Sequence, residues 1–185
     1  MAEYYLISQL PSLDGISENM PLPITEQRFI ELCNRFLGEK VKKSLGKLTL
    51  VPDISNELSG SALIDAWNDA ERNLRLALAK VRADKLGKQF DTENKPLSTE
   101  ILKTALAAAE MESPLEAENF LNLHRLNFLE TLRPMDAFSE DYIFYYGLKL
   151  KLILRTRQFD TAIGEATYRN IYNSILDGDK PEDIQ

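Results

Sequence analysis

The sequence predicts an all-α fold, a bundle of six or seven helices with one long central helix and a short extended N-terminal segment. Three observations predict it. Apolar residues recur at helical spacing (i, i+3, i+4, i+7) along most of the chain. Capping residues stand before these stretches, and Gly or Pro follows several of them. One stretch also holds a heptad spacing for longer than an average globular helix. A chain of 185 residues fits a single domain and buries about 70% of its unfolded surface without disulfides or metals. The helical domain is assigned to residues 1–177, with 178–185 as a mobile acidic tail.

Tyr4 to Leu10, YYLISQL, is aromatic and β-branched enough for a strand, and Pro11 and Gly15 end it quickly. Tyr5, Ile7 and Leu10 are expected to bury against the helical body and pin the N-terminus. A connector rich in turn formers, with Pro21 and Pro23, leads to Thr25. Thr25 is the N-cap of the first clear helix, and Ile24 with Phe29 forms a hydrophobic staple. Phe29, Leu32, Cys33, Phe36 and Leu37 share its apolar face, and Gly38 stops it. Cys33 on that stripe reads as a small buried hydrophobe rather than a reactive thiol.

A short basic helix follows, carrying Lys40, Lys42, Lys43 and Lys47. These lysines are candidates for contact with an acidic partner or anionic lipid, against the plainer alternative of a solvated face. The longest helix begins near Ser59. Leu63, Trp67, Ala70, Leu74, Ala77 and Val81 step by four and three along it, a heptad seam, and Gly87 ends it. The pairs Asp65 with Asp69 and Glu71 with Arg75 are helical neighbours placed on its polar side.

Ser98 or Thr99 caps an alanine-rich helix. Ser113, Pro114 and Glu116 then form a capping box with proline at the first helical position. The inner stripe of that next helix is Ala117, Phe120, Leu121, His124, Phe128 and Leu132, which makes His124 a structural histidine before a catalytic one. Ser139, Glu140 and Asp141 start the most apolar stretch. Its tail, Leu148-Lys149-Leu150-Lys151-Leu152, alternates as a strand would, but length and the acidic cap favour a buried helix. Asp160 caps a last helix in which Ile163, Tyr168, Ile171, Tyr172, Ile175 and Leu176 share a face.

The net charge of −7 argues against a nucleic-acid surface as the main role, though a local basic patch stays open. One cysteine and one histidine speak against a zinc site and against an internal disulfide. A di-iron carboxylate bundle wants Glu three residues before His, and Leu121 stands there. No stretch reaches the roughly 18–20 apolar residues of a membrane span. Glu3 sits where a signal peptide needs positive charge. A cytoplasmic location follows as the expectation. Phosphate-binding glycine loops and a nucleophile elbow are missing. Together these observations favour a non-catalytic binding or structural role with no cofactor. A carboxylate-based enzyme stays as the least favoured alternative.

YYLISQLPSL, PITEQRFIELCNRFL, ALIDAWNDAERNLRLALAKVRADKLGK and SPLEAENFLNLHRLNFLETL together resemble a bacterial family encoded beside subunits of V-type (V/A-type) ATPases. At the level of long antiparallel helices, that family is similar to the C (eukaryotic d) subunit of the same ATPases. The chain is too short for that subunit's three helical units. The resemblance implies an accessory or rotor-linked subunit, or an assembly factor, peripheral at the cytoplasmic membrane, that meets central-stalk and membrane-ring subunits. Lys40, Lys42, Lys43 and Lys47, with Arg155 and Arg157, are the candidate partner contacts. The alternative is a helical adaptor for some other partner, self-associating through the heptad seam.

Overall fold

The structure is a computed structural model and describes residues 2–16, 20–52, 58–90, 96–158, 168–173 and 175. In chain order the helices are α1 (Ala2–Gln9), α2 (Glu26–Phe36), α3 (Glu39–Leu45), α4 (Ala62–Lys85), α5 (Thr99–Glu110), α6 (Pro114–Thr131) and α7 (Glu140–Arg157). Residues 168–173 are also helical, and no strand occurs among the described residues. The all-α architecture around one long helix is as the sequence predicts.

The helix starts follow from local chemistry. Thr25, Ser61, Ser98, Ser113 and Ser139 each have extended backbone. Each accepts a hydrogen bond on its side-chain oxygen from the amide three residues on. Every such cap satisfies one otherwise orphaned N–H and is worth about 1 kcal/mol. Gly87 terminates α4 with φ +64°. The Lys88 amide donates to the Ala83 carbonyl and the Gly87 amide to that of Asp84, a Schellman motif that a left-handed glycine permits.

The N-terminal segment is a correction. Residues 2–9 are helical rather than extended, and the change of period changes which side chains are buried. A strand would place Tyr5 and Ile7 on the face opposite Leu6 and Leu10, whereas a helical turn gathers Leu6, Ile7 and Leu10 on one side and turns Tyr5 away. Accordingly Leu6 is fully buried, Ile7 and Leu10 pack partly against the core, and Tyr5 is 59% exposed. Leu13 is buried just beyond. The Tyr146 hydroxyl donates to the Pro11 carbonyl at 2.8 Å, so the segment is still tied to the body.

α4 spans three hydrophobic clusters. Leu63, Ile64 and Trp67 join the main core with α2, α3, α7 and the end of α6. Leu74 packs with Ala108 and Leu121, and Ala77 and Val81 pack with Ala105. Alanines on both helices let α4 and α5 approach closely. The heptad seam is thus consumed inside the chain, apart from half-buried Ala70, and is no free surface for a coiled-coil dimer.

Every residue of α7 from Ile143 to Leu150 is buried. α2, α4 and α6 all pack on it, which makes it an all-round apolar helix at the centre of the fold. At Gly147 a Cβ would lie 2.7 Å from Leu48 Cδ2 and 3.1 Å from Phe29 Cε1. The absence of a side chain there admits Leu48 and Phe29 against the helix. The alternating leucines and lysines resolve the same way. Leu148, Leu150 and Leu152 are fully buried, while Lys149 and Lys151 carry their charges to carboxylates.

The predicted last helix lies partly outside the described residues, which include neither Asp160, Ile163 and Leu176 nor the tail 178–185. Tyr168, Ile171, Tyr172 and Ile175 are all more than half exposed. The rings of Tyr168 and Tyr172 stack at 6.1 Å.

Candidate functional site

α4 and α6 lie antiparallel, with Leu74 near Leu121 and Glu71 against Arg125. This placement builds a charged centre between them. Arg125 Nε donates to Glu71 Oε2 at 2.9 Å and Nη2 donates to Oε1 at 3.1 Å, a two-pronged pair. Arg75 Nε adds a bond to Oε1 at 2.8 Å. Arg125 Nη1 donates to Asn122 Oδ1 at 3.1 Å and to Glu118 at 3.4 Å. Glu118 in turn accepts from Arg155 on α7. Three guanidiniums and two carboxylates so link α4, α6 and α7. The Glu71 side chain is only 1% exposed and that of Arg125 6%.

This corrects the placement of Glu71 on a polar face. An acid can enter the interior only when its charge is matched and its lone pairs are occupied, and the two arginines do both. Both oxygens of Glu71 receive N–H donors, an arrangement suited to clamping helices.

Beside the clamp is a cleft of about 450 Å³. Trp67, Leu74, Ile101 and Phe128 supply its apolar walls, and Glu71, Arg125, His124 and Glu100 its polar edge. Trp67 turns its indole N–H away, donating to the Thr49 carbonyl at 3.1 Å. His124 is half-buried at this edge. Burial first, and then the Arg125 charge, hold its imidazole below the ordinary histidine range.

A second polar cluster closes over α7. Lys149 Nζ donates to Asp14 at 2.6 Å and to Glu130 at 2.7 Å. The Tyr145 hydroxyl donates to the same Glu130 oxygen at 2.7 Å. Arg133 lies 3.6 Å from Asp14 and 3.8 Å from Glu130. The hydrogen bond from Lys149 holds Asp14 below the usual carboxylate range. Burial pushes Glu130 up, but the bonds from Lys149 and Tyr145 outweigh it and the net direction is down. Tyr145 is pushed up to about 12, first by burial and then by its bond to Glu130. Burial opposes the charge on Lys149, yet its bonds to Asp14, Glu130 and Tyr145 together raise it. The cluster fastens the N-terminal segment to α6 and α7.

The residues expected to meet partners divide into two groups. Lys40, Lys43 and Lys47 are exposed on or just after α3, and Lys42 is half-buried. Lys42 pairs with Glu39 at 2.9 Å, and Lys47 donates to the Leu58 carbonyl at 3.3 Å. Arg155 and Arg157 are engaged within the chain, by Glu118 and by the Met20 carbonyl. Cys33 is fully buried, and burial pushes its thiol up to about 12. Among the described residues no group of three or more His, Cys, Asp or Glu is placed to hold a metal. No helix among them is long and apolar enough to cross a membrane.

Arg125, Asn122 and Lys149 were not singled out by sequence reasoning. Arg125 did carry a signal, because it stands four residues from both Leu121 and Leu129 and so falls in a leucine row. The observed buried row of α6 is Leu121, Asn122, Arg125 and Leu129. It is rotated from the predicted stripe, whose Ala117, Phe120, His124, Phe128 and Leu132 are half-buried.

A sequence profile of a family described as "Protein of unknown function (DUF2764)" matches residues 89–179, which include α5, α6 and α7. No curated protein and no solved structure matches the chain.

Proposed function

We propose that the chain is a non-catalytic accessory or rotor-linked component of a V-type ATPase, resembling a shortened C/d subunit and acting as a helical structural or assembly element. The observation that carries this reading is the use made of the residues behind the resemblance. In the segment AWNDAERNLRLALAKVRADKLG, Trp67 enters the main core, Leu74 the second cluster, Glu71 and Arg75 the inter-helix clamp, and Gly87 the helix stop. All but Gly87 hold the long helix against its neighbours. A subunit that transmits force or templates assembly needs this kind of fixed helical frame, because cross-braced helices resist shear.

The proposed partners are the central-stalk and membrane-ring subunits, met from the cytoplasmic side. Co-expression with those subunits, followed by affinity purification of the ATPase at moderate salt, tests the proposal. Stoichiometric recovery of the chain is the expected result. Its clean separation from a complex that stays intact would refute the ATPase role and leave a helical adaptor for another partner.

A further inference from the structure

We infer that the outer face of α3 is a docking surface for an anionic phospholipid bilayer. Val41 is buried and anchors one side of this short helix. Lys40 and Lys43, at i and i+3, share a side of the helix away from Val41, Lys47 follows just past its end, and all three are exposed. The nearest described acid on the helix is Glu39, which is occupied by Lys42. The loop acids Asp53 and Glu57 lie outside the described residues. Three positive charges thus stand together on a chain whose net charge is −7. Such an asymmetry orients the molecule, because an anionic plane repels most of its surface and attracts this face.

A second feature adjoins the charges. Lys47 donates to the Leu58 carbonyl, which places Leu58 beside that lysine, and Leu58 is 77% exposed. Lysines with an exposed apolar side chain next to one of them combine electrostatic attraction to anionic headgroups with a group able to enter the interface. Residue type favours lipid over an acidic protein. Lysine is depleted in protein–protein interfaces, where its hydrated ammonium is costly to desolvate. Above a membrane the ammonium keeps its water and still feels the surface potential. This inference concerns the isolated chain and stands whether or not the ATPase reading holds.

Sedimentation of the purified chain with large vesicles tests it, comparing pure phosphatidylcholine with two parts phosphatidylcholine to one part phosphatidylserine. At low ionic strength the chain is expected to sediment only with the phosphatidylserine vesicles and to be released as salt rises. The triple variant Lys40→Gln/Lys43→Gln/Lys47→Gln should lose about 100-fold in partitioning, at about 1 kcal/mol per lysine and 1.4 kcal/mol per decade. Its melting curve should remain that of the wild type. Leu58→Ser should weaken binding without altering the salt dependence. Failure to sediment with phosphatidylserine vesicles at low salt overturns the inference, as does undiminished binding by the triple variant. If the chain ignores vesicles but binds polyglutamate through the same lysines, the membrane assignment is wrong and the face belongs to an acidic protein.

Discussion

Replacing Arg125 by leucine should be among the most damaging single changes in the protein. The substitution removes both bonds to Glu71, at 2.9 and 3.1 Å, and the bond that occupies Asn122 Oδ1. Glu71 Oε1 keeps Arg75, but Oε2 loses its donor while its side chain stays 1% exposed. Stranding one member of a buried ion pair costs about 3–5 kcal/mol. At an m-value of about 2–3 kcal/mol/M, the urea midpoint should fall by about 1–2.5 M. Replacing both partners, as Glu71→Leu/Arg125→Leu, removes the stranded charge and should recover more than half of that loss. Urea titrations followed by circular dichroism, with unchanged slopes, give both numbers. A loss under about 1 kcal/mol for Arg125→Leu would refute the clamp, because a buried pair cannot be severed so cheaply. A double variant no better than the single one would show that the charge mismatch is not what destabilises.

Two further outcomes follow from the core and from the α7 cluster. Gly147→Val should destabilise by about 3 kcal/mol through overpacking, since even a Cβ would meet Leu48 at 2.7 Å; a thermal melt within about 1 °C of wild type would contradict that close approach. Asp14 and Glu130 titrate below their ordinary values of 3.8 and 4.5 when folded. Their stabilising contribution is therefore complete above those values and is lost as pH falls through the lower folded ones. Removing the shared ammonium with Lys149→Met should flatten the fall in urea midpoint across that acid window, whereas parallel pH profiles for the two proteins would count against the linkage.

Periodicity and caps were legible in the sequence because both are local. The staple and stripe of α2, the starts at Thr25, Ser98, Ser113 and Ser139, and the stop at Gly87 depend only on residues a few positions apart, so composition and spacing determine them. The first ten residues were less so. Five aromatic, branched and leucine positions suit a strand by propensity, but no sheet exists among the described residues to accept one. Packing on α2 made the segment helical and replaced Tyr5 with Leu6 as the buried residue. Glu71 shows the wider limit. In sequence, Glu71 and Arg75 are an ordinary i, i+4 surface pair, and nothing local says that Arg125 waits 54 positions away. Apart from α1 and the rotated stripe of α6, the sequence by itself determined where helices begin, end and carry apolar faces. Only the tertiary structure decided which charges lie inside, because a buried charge is stable only with a partner, and the partner comes from another helix.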